Sequence, residues 1–330
     1  MGSSSTDSAA PSPPFLAVFR AHAAADGTMP FARFMELALY HPEVGYYRRE
    51  HPRVGYAPGT DFYTASTSGP VFGELVATAC AKRLRDAGRD PAAHTFVEIG
   101  AENPAGVLAG VKHPFAQAIT LRLGQPLTLA GDCVVFSNEL FDAQPCVRTA
   151  FRDGQWRELG VRERDGRLEE VELGAFEDTS QTLAPEGYRF DRSLAATQLA
   201  GQLTAQPWHG LFVAFDYGKT LRQLTTETSA GTVRAYYRHT QSNDLLARPG
   251  EQDLTCHICW DWLEAALARQ GFTGVVLDSQ ESFFIRQAGE YIAAASAADA
   301  AHLTRRKLSL LQLLHPGQMG QKFQVLHALR

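Results

Sequence analysis

The stretch "FVEIGAENPAGVL", residues 96–108, decides the fold. A short apolar run ends in Glu98 and is followed by Gly100, the pattern of the first strand and turn of a nucleotide-binding α/β domain. Glycines in that turn permit positive φ and let the backbone come close to a ligand. Here Ala101, Glu102, Asn103 and Pro104 stand where further glycines would be, and Gly106 follows. Pro104 removes an N–H and restricts Asn103. Proline is tolerated in the first turn of a helix, so "NPAGVLAGV" is expected to open one, with Asn103 as N-cap.

Two further stretches share the pattern. "DCVVFSNEL" (132–140) and "GLFVAFDYG" (210–218) are apolar and then abruptly polar. Ligands of open α/β sheets bind beyond the carboxyl ends of strands, so the three ends point to one crevice. Asn138, Glu139 and Asp142 follow the second strand, and Asp216 and Tyr217 end the third. Helical spacing marks "FARFMELALY" (31–40), "VFGELVATACAKRLRDAG" (71–88) and "WDWLEAALARQGF" (260–272), the last closed by Gly271. Residues 304–315 also read as helix. "GVVLDSQESFFI" (274–285) begins as a strand, and "KFQVLHAL" (322–329) reads as a final edge strand. "QWRELGVRERDGRLEEVEL" (155–173) alternates polar and apolar residues about an Asp-Gly pair, the signature of a hairpin.

These elements divide the chain into a disordered tail (1–14), a helical segment with a Gly-rich loop (15–90), a first part of the α/β core (91–145), an antiparallel insertion on the parallel sheet (146–192) and a second part of the core (193–330). The 330 residues, 45% hydrophobic and 20% charged, are enough for a full core. A net charge of −5 argues against nucleic-acid binding. No apolar run approaches the roughly 18 residues that span a bilayer. Five scattered cysteines and no secretion signal point to a reducing compartment, and a bacterial cytoplasm is expected over a mitochondrial matrix.

"FMELALYHPEVGYY", "GTDFYTASTSGPVFGEL", "FVEIG", "SNELFDAQP", "QWREL", "FVAFDYG", "RPGEQDLTCHICW" and "LLQLLHPGQMGQKFQVL" occur in this order from Phe34 to Leu326. In these stretches the chain resembles the MidA-like, mitochondrial complex I assembly methyltransferases, a family of class I S-adenosylmethionine (SAM) enzymes. The resemblance implies a Rossmann-like, mostly parallel sheet and methylation of a protein arginine during assembly of a respiratory complex. It implies SAM as cofactor, held at the turn Gly100–Gly106 with Glu98, Asn138 and Thr64. It places Asp61 in a loop bordering the active site, as a catalytic residue with Glu139 and Asp142. Glu139 and Asp142 would hold the substrate, since paired carboxylates suit the planar fork of a guanidinium. The partner would be a protein substrate or assembly partner, and the chain would act alone or as a homodimer.

Each candidate has a structural alternative. Asn138 would cap a turn and Asp142 a helix. Asp61 would make an Asx-turn. Glu98 would accept backbone N–H groups beneath the loop, and Asp216 is read as a buried support for its own loop. His257 reads as a core histidine. Cys256 and Cys259 are too few for a zinc site, so no metal is expected.

Three departures from the family pattern bear on function. The first-strand turn is poor in glycine. Thr60 is inserted between Gly59 and Asp61, and His257-Ile258-Cys259-Trp260 lacks a carboxylate that the family carries. The segment after Gly100 is also short. Only 34 positions separate Gly100 from Val134, room for one crossover, since a βαβ unit takes about 30 residues. The family implies a second strand here ending in an acid for the ribose hydroxyls, yet residues 103–131 contain no Asp or Glu. A sheet trimmed where the nucleoside would lie is expected. Two functions follow: a SAM-dependent protein methyltransferase, or a pseudoenzyme that has lost SAM and keeps a partner-binding surface.

Overall fold

The structure, a computed structural model, describes residues 10–49, 60–61, 69–101, 103–177, 183–298, 302 and 304–330. It is a mixed α/β protein whose chain divides into two compact units. One, the sheet unit, comprises Tyr63–Asp142, Thr197–Gly218 and Trp260–Arg330; the other, the hairpin unit, comprises Met1–Phe62, Ala143–Ala196 and Lys219–Cys259.

Among the described residues, six strands build the sheet unit: β1 (Thr95–Ile99), β2 (Gln117–Leu121), β3 (Gly131–Asn138), β4 (Trp208–Asp216), β5 (Thr273–Ser279) and β6 (Gln324–Leu329). Their order across the sheet is β5-β6-β4-β3-β1-β2. The pairs β1–β2, β1–β3 and β3–β4 are parallel, while β6 runs antiparallel to both β4 and β5. β3 and β4 read as nearly unbroken apolar runs because parallel central strands are covered on both faces. Phe72 of the helix Pro70–Asp86 meets Phe215 edge-on with centroids 5.6 Å apart, and Phe96, Phe136 and Phe215 continue that aromatic layer across three strands.

The hairpin unit has a second sheet. Strands Val147–Arg152, Gln155–Arg164 and Arg167–Ala175 run antiparallel in succession, with Thr28–Pro30 pairing on Gln155–Arg164 and Arg189–Arg192 on Val147–Arg152. The turn read from the sequence is present: Asp165 has φ 52°, the left-handed backbone that a two-residue hairpin turn requires. Helix Phe31–Tyr40 buries Phe31, Phe34, Met35 and Leu39 in the core of this unit.

Six features differ from those expected from the sequence. No helix opens at Asn103; its side chain accepts the Ala105 N–H in a local turn, and residues 103–116 run as turns along the sheet. Without that helix the chain fits an additional strand, β2, into a gap with room for one crossover. The C-terminal strand β6 is not an edge, because β5 pairs outside it. The hairpins form their own sheet and do not extend the parallel one, and residues 219–259 fold with them. Asp142 caps no helix, since residues 141–144 form bends and turns. Helix Pro13–His22 starts inside the stretch expected as a tail: Ser12 caps it, and Pro13 and Pro14 occupy positions where no intrahelical N–H bond is needed.

Candidate functional site

In the sheet unit the chain leaves β1 for β2 on one side and then crosses to β3 on the other. The reversal puts a switch point at the carboxyl ends of these strands, the place where open α/β sheets bind ligands. On the β1 side Gly100 has φ 78°, and its N–H donates to Leu121 O at 2.8 Å. Leu140 lies over it: a Cβ added at Gly100 would stand 2.7 Å from Leu140 Cδ1.

The β3 side is polar. Ser137 is buried, and its Oγ has no hydrogen-bond partner. Asn138 Oδ1 is likewise buried without one, while its Nδ2 donates to Glu139 Oε1 at 3.0 Å. Glu139 holds a φ of 53°, costly for a residue with a Cβ, and its N–H donates to Phe215 O at 2.9 Å. Behind this end sits Asp216, fully buried. Its carboxylate accepts from the Phe141 and Tyr217 N–H groups at 2.8 Å each. Burial pushes its pKa up to about 7, against the pull of those N–H groups and of Asp142 and Leu140. Asp216 therefore fastens the loop that carries Leu140 and Asp142, the supporting role read from the sequence. Asp142 itself is buried in that loop.

Glu98 points elsewhere. One of its oxygens accepts the Val107 N–H at 2.6 Å, and burial raises its pKa to about 7. Gly106 closes over it with φ 75°; a Cβ there would lie 2.5 Å from Thr120 Oγ1 and 2.7 Å from Glu98 Oε2. These residues line a cavity of about 220 Å³ with Phe96, Leu108 and Ile119. That is smaller than the roughly 300–1,000 Å³ of pockets that hold drug-sized ligands. Glu98 and Gly106 thus line this cavity, whereas Gly100, Asn138 and Glu139 share the switch point.

Asp61 lies in the hairpin unit, buried. Its Oδ2 accepts from the Tyr46 hydroxyl and its Oδ1 from the Arg238 N–H, each at 2.8 Å. Thr64, Phe62 and Glu102 lie outside the described residues. His257 is held neutral, its pKa lowered to about 4 by burial and then by Lys219 and Arg234. Cys256 and Cys259 are buried, and among the described residues no three metal-ligating side chains come together. Sequence reasoning missed Ser137 and Leu140. Both stand in "SNELFDAQP", but neither residue type announces a site; only the burial of Ser137 without a partner does.

Buried polar atoms without partners at the switch point of a mixed α/β sheet mark the place where such sheets bind ligands. The family profile of S-adenosyl-L-methionine-dependent methyltransferases matches residues 112–276, half of the chain, and the chain belongs to that family. It is 24% identical over 375 residues, covering 93% of itself and 83% of the relative, to the protein arginine methyltransferase NDUFAF7 homolog, mitochondrial, of Drosophila melanogaster. A Burkholderia thailandensis protein crystallised with S-adenosylhomocysteine superposes with a TM-score of 0.81 at 25% identity, covering 97% of this chain and 94% of that one. A native crystal structure from the same organism gives 0.78 at the same identity and coverage.

Proposed function

We propose that the protein is a SAM-dependent methyltransferase that methylates a protein nitrogen, an arginine guanidinium, on a partner of the respiratory-complex type. The observation that carries the cofactor reading is the pair of buried, unpartnered oxygens, Ser137 Oγ and Asn138 Oδ1, at the carboxyl end of β3. Buried polar groups are rarely left unpaired, and each such exception calls for a partner. A ligand rich in hydroxyl and amino groups would satisfy both. In this reading the sheet unit is a trimmed Rossmann-like sheet, Gly100 and Asn138 hold the cofactor, and Glu98 and Gly106 shape the turn from beneath.

When bound, SAM supplies an electrophilic methyl group on a sulfonium. The protein must then align a nucleophile and leave its nitrogen unprotonated. Glu139 suits that task. Its carboxylate is oriented by the hydrogen bond it accepts from Asn138 Nδ2. It would accept a hydrogen bond from the substrate guanidinium and take the proton that the nitrogen loses. Asp142 would support it from the neighbouring turn. Asp61, both of whose carboxylate oxygens already accept hydrogen bonds, holds Tyr46 and the Arg238 turn of its own unit.

One feature favours the second reading, a pseudoenzyme. The position after β2, where the family resemblance implies an acid for the ribose, holds the exposed Arg122. Isothermal titration calorimetry with SAM and S-adenosylhomocysteine separates the two. Micromolar binding, about −8 kcal/mol, supports the methyltransferase. Absence of binding at millimolar concentration establishes the pseudoenzyme.

A further inference from the structure

The hairpin unit carries a second place where backbone strain and charge coincide. Strands Arg234–Tyr237 and Thr240–Ser242 pair with Tyr237 opposite Thr240, which leaves Arg238 and His239 as the two turn residues. Their φ angles are 47° and 62°. Such turns favour Asn-Gly because both positions need positive φ. An Arg-His pair resists that conformation, and here it is held from outside: Asp61 accepts the Arg238 N–H at its carboxylate and the His239 N–H at its carbonyl, both at 2.8 Å. Arg248 is also left-handed, with φ 42°.

The two strained arginines converge. Arg238 Cζ lies 5.0 Å and Arg248 Cζ 4.8 Å from the centroid of the same Tyr237 ring. Their guanidinium groups are therefore at most about 10 Å apart. Among the described residues no carboxylate pairs with either. Three other arginines of this unit do pair with carboxylates: Arg148 with Asp191 and Glu170, Arg162 with Glu169, Arg20 with Glu163. Arg238 is exposed and Arg248 half-buried. A guanidinium held over an aromatic face still has N–H donors for an incoming acceptor.

We propose that Arg238 and Arg248, seated on Tyr237, form an anion clamp that docks an acidic, extended segment of a protein partner through two carboxylates. Alternate residues of an extended chain are about 6.6 Å apart, which fits two guanidinium groups set within about 10 Å of each other. The clamp rests on the reading that the partner is a protein, and it requires neither cofactor nor turnover.

The test is fluorescence anisotropy on the full chain, without SAM, using a fluorescein-labelled peptide with glutamates at alternate positions. Inorganic phosphate is the competitor, and the glutamine analogue of the peptide is the control. The clamp predicts saturable, salt-sensitive binding of the glutamate peptide alone. It predicts at least tenfold weaker binding in Arg238→Gln or Arg248→Gln, and no change in Arg164→Gln, another exposed arginine of this unit. Arg238→Gly separates fold from function, because glycine relieves the turn: its melting temperature should rise while peptide affinity falls tenfold. Binding that survives Arg238→Gln and Arg248→Gln, equal binding of the glutamine peptide, no binding at all, or displacement by micromolar phosphate would overturn the proposal. Failure here leaves the SAM titration untouched, so the two readings fail separately.

Discussion

The two sides of the switch point have been treated differently. At the end of β3, Ser137 and Asn138 keep buried oxygens without partners, Glu139 is held left-handed, and Asp216 braces the loop from behind. At the ends of β1 and β2, the helix is gone, Leu140 covers Gly100, and Arg122 follows β2 with no acid nearby in the chain. One half is built to receive polar atoms. The other offers the backbone of Gly100 beneath an apolar side chain and no acid. A site whose two halves differ this way identifies which contacts a ligand still gains.

The largest expected effect is on the braced half. Asp216→Ala leaves the Phe141 and Tyr217 N–H groups buried without acceptors, which costs about 3 kcal/mol of stability. Urea denaturation measures it, and a loss below about 1 kcal/mol would show that the brace is unimportant.

The packed half gives a pH signature of similar size. Glu98 has its folded pKa raised to about 7 from 4.5, chiefly by burial. The folded state therefore binds the proton more tightly than the unfolded chain. Its contribution is most favourable below pH 4.5 and declines as the pH climbs to 7, by about 3 kcal/mol in all. Glu98→Gln removes this titration. The variant should gain on the native protein across that interval, as followed by denaturation at pH 4.5 and 8. A difference independent of pH would place the Glu98 carboxylate in water.

A smaller effect sharpens the contrast. If the trimmed half lacks only its ribose acid, Arg122→Glu restores one at the end of β2 and tightens S-adenosylhomocysteine binding about tenfold, or 1.4 kcal/mol. An unchanged affinity would mean the ligand does not reach β2.

Much of this was legible in the sequence. The strand ends announced themselves because parallel strands are apolar until they reach the site, and "GLFVAFDYG" and "DCVVFSNEL" changed character there. The shortened segment after Gly100 was visible from spacing and from the absence of Asp and Glu. β2 was not, since "QAITL" at an exposed edge carries no alternation, and the helix expected at Asn103 never forms. Nor did composition separate Glu139 from Asp61. Both are carboxylates in resembling motifs, and only the structure shows that Asp61 is occupied by Tyr46 and Arg238 in the hairpin unit. C-terminal position made β6 look like an edge, whereas its buried side chains place it inside the sheet.

The central claim is that the end of β3 still receives a ligand. Ser137 Oγ is buried without a protein partner, so Ser137→Ala should not destabilise the fold, because it removes an unsatisfied buried polar group. Calorimetric titration with S-adenosylhomocysteine of the native protein and of this variant is therefore the direct test. The account predicts micromolar binding that weakens about tenfold on Ser137→Ala, the loss of one hydrogen bond to a ligand. Equal affinity in the two proteins, with the native protein binding, would contradict it.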